Sequence, residues 1–125
     1  MLQSYPIYAY IPARDMTRAR AFYEGTLGFE PKQETGGGVV YEFAHKTACF
    51  LYPTPNAGTS QASQAFWSVA DIEREVADLK ARGVVFEDYD LPGEKSMSGV
   101  LTAMGAKAAW FKDSEGNILA IIQGV

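Results

Sequence analysis

The side chains able to do acid–base, nucleophilic or metal chemistry are few and widely spaced. His45 is the only histidine and Cys49 the only cysteine among 125 residues. Histidine is the side chain whose ordinary pKa lies closest to neutrality, so His45 is the first candidate for a general base. It stands between Ala44 and Lys46 in a short loop joining two apolar runs, which reads as a solvated surface position. Cys49 precedes Phe50 in a strand-like run. Strand alternation therefore turns its thiol away from the Phe50 ring, toward a helix layer, as a buried and inert group. Glu42 has apolar neighbours and could be a buried acid of raised pKa, but it reads as an edge-facing, solvated carboxylate. No Ser-His-Asp set can be assembled beyond His45. Gly36, Gly37 and Gly38 lack the following helix of a phosphate-cradling loop and read as a hairpin turn. A single cysteine also excludes an intramolecular disulfide and a thiolate metal cluster.

These groups need a scaffold, and its elements follow from the pattern. Ile7 to Ile11 is a β-rich run that Pro12 limits. Asp15 is an N-cap for a helix to about Leu27, with Met16, Ala19, Phe22, Tyr23 and Leu27 on one face and Gly28 as its stop. Strands are expected at Phe29 to Thr35 (an edge), Val39 to Phe43 and Thr47 to Tyr52. Residues 53–60 carry two prolines, Asn56 and Gly58 and form the one linker-like stretch. The order then restarts. A strand from Ala62 to Val69 leads to a helix capped by Asp71 and stopped by Gly83, with Ile72, Val76 and Leu79 on its apolar face. Arg74–Asp78 and Asp78–Arg82 are expected as four-apart ion pairs on its exposed side. Val84 to Phe86 reads as a strand, residues 90–105 as a long Gly-rich loop and candidate mobile lid, and Ala106 to Phe111 and Asn117 to Gln123 as the last two strands. Asp113, Ser114, Glu115, Gly116 and Asn117 form the turn between those two. Gly116 suits its left-handed position, and Asp113 can bond the turn's own backbone.

With the echo of Asp15 and Gly28 in Asp71 and Gly83, the chain resembles the vicinal oxygen chelate superfamily of glyoxalase I, bleomycin-resistance proteins and extradiol dioxygenases. The residues that carry the likeness are Asp15, Phe22, Tyr23, Leu27, Gly28 and Phe29, the helix from Asp71 to Gly83, and Phe111, Asp113, Gly116 and Asn117. The resemblance implies an α+β domain over residues 1–125. Its two βαβββ modules, about 1–53 and 61–125, would form a cup-shaped mixed sheet with helices on the outer face. It also implies a homodimer. Metal-dependent members take one ligand from each of four strands, at positions that fall here on Tyr8, near Phe50, on Gln64 and on Ala120. Of these only Gln64 offers a suitable donor, and a catalytic divalent ion needs about three protein ligands. No metal and no cofactor are therefore expected.

In that register Tyr8, Phe50, Gln64 and Ala120 face the cup, and alternation adds Tyr10, Tyr52 and Phe66. Such a surface either lines a small-molecule pocket or fills a core. The Gln64 amide must in either case be bonded by protein, water or ligand. In the same register Trp67 faces the helices or a dimer contact, while the facing of Trp110 is open. Net charge is −4, with lysines and arginines scattered, which argues against nucleic acid. No apolar run approaches the roughly 20 residues of a membrane helix. The N-terminus lacks the charged-then-apolar order of a secretion signal, so a cytoplasmic location is expected. The functional expectation is a metal-independent protein that holds a small apolar or aromatic ligand. The alternative is a metal-free isomerase, lyase or cyclase acting on a small carbonyl compound, with a tyrosine or a loop carboxylate such as Glu94 moving the proton.

Overall fold

Two short-range signals set the frame of the computed structural model, which describes residues 1–125. The Asp15 and Asp71 carboxylates accept hydrogen bonds from the backbone N–H groups of Arg18 (3.0 Å) and Arg74 (3.2 Å), capping the two helices. Gly28 and Gly83 then take positive φ and end them. In chain order the elements are β1 (Ala9–Ala13), α1 (Met16–Arg20, continued by π-type turns over Ala21–Thr26), β2 (Gln33–Thr35), β3 (Gly38–Glu42), β4 (Ala48–Pro53), β5 (Ser63–Ser68), α2 (Ile72–Ala81), β6 (Glu94–Lys95), β7 (Leu101–Ala103), β8 (Ala106–Lys112) and β9 (Ile118–Gln123). No helix is long and apolar enough to cross a membrane.

The strands form two mixed sheets, β1-β4-β3-β2 and β5-β9-β8-β7-β6. In each, the first strand lies parallel to the last and the rest are antiparallel. The α+β architecture of paired βαβββ modules is thus present, and the internal repeat is real. Alternation divides every strand between two faces. Ile11, Ala13, Val39, Tyr41 and Leu51 pack against Ala19 and Tyr23 of α1, and Phe111 and Leu119 of the second sheet join the same core. Ile72 and Val76 of α2 pack on Ala109 and Ile121.

Several expectations are corrected. The edge strand starts at Gln33, not Phe29. Phe29 is drawn into the core, where its ring meets Tyr41, Phe43 and Trp67, and Pro31 has no N–H for a ladder. Val84 to Phe86 is not a strand. Val84 turns into the core, Val85 is 80% exposed, and only Phe86 forms a bridge, to Phe111. The stretch 90–105 is not a structureless loop, since β6 and β7 lie within it and pair with each other. The ion pairs expected along α2 do not form. Lys80 instead donates to the Ser98 carbonyl (2.7 Å), Glu73 accepts from the Ser98 hydroxyl, and Arg82 donates to the Thr26 carbonyl (3.3 Å). Neighbouring turns thus engage side chains on both sides of Asp78.

Candidate functional site

The face of the first sheet that points away from α1 is aromatic. Tyr10 and Phe50 are register partners, with ring centroids 5.8 Å apart, and the Tyr10 ring lies 3.8 Å from that of Tyr52 at a tilt of 31°. Tyr8 lies just before β1. It lines a shallow concavity of about 390 Å³ with Tyr10, Val40 and Phe50. Tyr10 is 61% exposed and Tyr8 48%, a large apolar area to leave in water.

The other expected residues belong to the second sheet. Phe66 pairs with Ala120, and Ala120 also pairs with Trp110, so all three share a face. That assigns Trp110, whose facing the sequence left open, and places Trp67 on the core side. Phe66 is 48% exposed, whereas Ala120 is 2% exposed. Tyr89 packs its ring edge-on to Trp110 (5.6 Å), and its hydroxyl is buried with no partner. Gln64 falls at a register irregularity between Ser63 and Ala65, where it is half-buried, and no protein group bonds its amide.

Tyr8, Tyr10, Phe50 and Tyr52 therefore form one cluster, and Phe66 and Ala120 sit on the other sheet. None of the four main cavities collects both sets. His45 and Glu42 are exposed, and Cys49 is buried on the core side. Burial pushes the Cys49 thiol up to about 11, which suits an inert group. No group of three or more His, Cys, Asp or Glu side chains stands together in a metal-binding arrangement.

The turn after β8 does more than reverse the chain. Asp113, Glu115 and Asn117 are the buried polar residues of the protein. The Glu115 carboxylate crosses the seam between the modules. There it accepts from the backbone N–H groups of Arg14 and Asp15 (both 2.9 Å) and from the Arg18 guanidinium (2.7 and 3.0 Å). Asn117 donates to the Pro12 carbonyl (2.7 Å). Gly58 of the linker comes so close to the Glu115 carbonyl that an added Cβ would lie 2.5 Å from that oxygen. Reading the sequence locally takes this polar run for a hairpin turn whose bonds stay within its own backbone. What it lacks is the partner surface, which comes from the chain's other end.

The Arg18 guanidinium, then the two backbone donors and Ser114, hold the Glu115 carboxyl at about 2, well below its ordinary 4.5. A depressed carboxylate contributes stability above the unfolded value and loses it as pH falls through the folded value. The full shift is discounted because Arg18 is half-exposed, leaving ~2 kcal/mol. Urea midpoints from pH 6 to pH 2.5 should fall more steeply for the wild type than for Glu115→Gln, with the extra loss confined to below about 4.5. Parallel curves would refute the assignment.

At the opposite end of the same seam lies a cavity of about 400 Å³. Ile11, Phe43, Cys49, Ala65, Trp67 and Leu119 supply much of its wall, with His45 and Thr47 at its margin. Of the seven expected cup residues, Phe66 alone lines it.

A family model described as the Glyoxalase/Bleomycin resistance protein/Dioxygenase superfamily matches residues 7–121. No curated protein matches the chain in sequence. Among solved structures, TnmS3, an antibiotic-binding protein from Streptomyces sp. CB03234, is similar at 22% identity and TM-score 0.70, with 100% of this chain and 99% of that one covered. A glyoxalase/bleomycin resistance protein/dioxygenase from Alicyclobacillus acidocaldarius is 18% identical, with TM-score 0.71 and 96% and 91% covered. The oxidase ChaP-H2 is 18% identical, with TM-score 0.66 and 95% and 92% covered.

Proposed function

Since the chain belongs to the glyoxalase/bleomycin resistance protein/dioxygenase superfamily, we propose that it is a metal-independent member that binds a small, largely planar or apolar molecule on its aromatic faces. The observation that carries this reading is the Tyr10, Phe50 and Tyr52 cluster, a preformed stacking surface left open to solvent. Flat rings on such a surface gain from area removed from water and from offset stacking, while the tyrosine hydroxyls orient the ligand. The family's four ligand-bearing positions do not suit a cation. Ala120 is wedged between Phe66 and Trp110, Phe50 lies against Tyr10, and the Gln64 amide alone cannot hold an ion. The antibiotic-binding description of TnmS3 supports a sequestration role for this fold.

The faces are half-cups, and a second copy of the chain is the partner that would close them. Light scattering should give a homodimer, and calorimetric titration with planar aromatic compounds should find saturable binding. Tyr10→Ser should weaken any such hit at least tenfold, ~1.4 kcal/mol. A stoichiometric divalent ion in protein purified without chelator would overturn the metal-independent reading, and an unchanged Tyr10→Ser affinity would overturn the site. One observation favours the isomerase, lyase or cyclase alternative. The Tyr89 hydroxyl beside Trp110 has no hydrogen-bond partner within the protein, and turnover of a bound carbonyl compound, lost in Tyr89→Phe, would establish that role.

A further inference from the structure

We propose that the cavity at the seam between β1 and β5 is a second ligand site, separate from the open aromatic faces, that takes a small uncharged ring compound past the His45 loop. The reason begins with the repeat. The loop between β3 and β4 corresponds to the loop between β8 and β9, and His45 stands third after β3 as Glu115 stands third after β8. At the Glu115 end, carboxylate and amide bonds to Arg14, Asp15 and Pro12 stitch the modules together. At the His45 end no polar side chain replaces them, and the modules meet there through the Phe43 and Trp67 rings, 5.7 Å apart. Thr47, in the position of Asn117, bonds only within its own loop, to the Ala44 carbonyl (2.8 Å). The seam is therefore locked at one end and hollow at the other.

The hollow has the character of a binding cavity. Its volume of about 400 Å³ lies within the ~300–1,000 Å³ of small-molecule pockets, and an apolar void of ~150 Å³ already holds benzene. The wall formed by Ile11, Cys49, Ala65, Trp67 and Leu119 offers no charge, so a charged ligand would lose its hydration without compensation. The margin is a loop in an uncommon conformation. His45 (φ 56°) and the next residue, Lys46 (φ 60°), are both left-handed without being glycine, at a cost of ~1–2 kcal/mol each. Such strain gathers at ligand clamps and gates. Here the loop supplies Ala44, His45 and Thr47 to the cavity lining, which places His45 to meet one polar substituent.

The two tryptophans make the test direct, because Trp67 lines this cavity and Trp110 faces the other side of the second sheet. In ¹⁵N-labelled full-length protein titrated with 2-naphthol, the Trp67 indole N–H signal should shift saturably. Ala48→Leu, which fills the margin, and Ala65→Leu, which fills the wall, should each lower the affinity at least tenfold. Thermal melts would confirm that both variants fold, and the half-exposed Ala48 site keeps one variant usable if the other does not. The proposal is overturned if Trp67 does not respond, if a folded Ala48→Leu protein binds as the wild type does, or if Tyr10→Ser abolishes the Trp67 shift. That last substitution also tests the open face by itself, so the two sites can fail separately.

Discussion

Asp113→Ala should lower the unfolding free energy by ~4 kcal/mol, the sum of several orphaned buried donors. The Asp113 carboxylate is 6% exposed. One oxygen accepts from the backbone N–H groups of Glu115 and Asn117 (both 2.9 Å), and the other from the Asn117 amide (2.8 Å) and the Tyr23 hydroxyl (2.5 Å). Truncation leaves two backbone donors, an amide and a phenol without their acceptor, at ~1–3 kcal/mol for each that water cannot reach. The damage would spread because the same turn holds Glu115 in place, and Glu115 ties β1 and α1 to the second module. Asp113→Asn keeps the shape and one acceptor oxygen and should lose about half as much, since charge-assisted bonds are roughly twice as strong as neutral ones. Tyr23→Phe removes one bond and should cost ~1 kcal/mol. Urea denaturation of the three variants orders these effects, and a loss below 1 kcal/mol for Asp113→Ala would show that the turn is merely a surface connection.

Ala120→Glu places a carboxylate at one of the four positions that the family resemblance assigns to metal ligands, and it should destabilise the protein without creating a metal site. Ala120 is 2% exposed, between Phe66 and Trp110 as register partners. The larger side chain has no room there, and its charge has no partner. Overpacking and an unpaired buried charge together should lower stability by ~4 kcal/mol. The only neighbouring donor by family register is Gln64, which still leaves fewer than the about three protein ligands a catalytic zinc requires. Titration with zinc or nickel should give no stoichiometric binding, and metal should not restore the melting temperature. Tight binding that rescued stability would mean that the site retains a latent ligand set.

Much of the architecture was legible from residue order because its causes are local. A capping aspartate and a stopping glycine act within one helical turn, so Asp15, Gly28, Asp71 and Gly83 marked the helices correctly. The Asp113 turn was legible for the same reason, down to the left-handed Gly116. Period-two alternation placed Cys49 on the core side and Tyr10, Phe50 and Tyr52 together. The misreadings came where a distant neighbour outweighed local preference. Phe29 and Val84 left their expected strands because the core offered better burial. Of the side chains expected to pair along α2, Arg82 reaches the Thr26 carbonyl instead, while Glu73 and Lys80 bond the Ser98 turn.

The sequence by itself determined which groups are available for chemistry: one histidine, one cysteine, and no carboxylate or imidazole at the four positions that the family resemblance assigns to metal ligands. Identity at a position is a local fact, and no packing arrangement can add a missing donor atom. Only the tertiary structure decided how the remaining groups meet. It split the expected cup residues between two sheets, set Glu115 against residues about a hundred positions away, and left the equivalent end of the seam hollow beside His45. Each of these outcomes depends on how two modules dock, and docking joins surfaces that lie far apart along the chain.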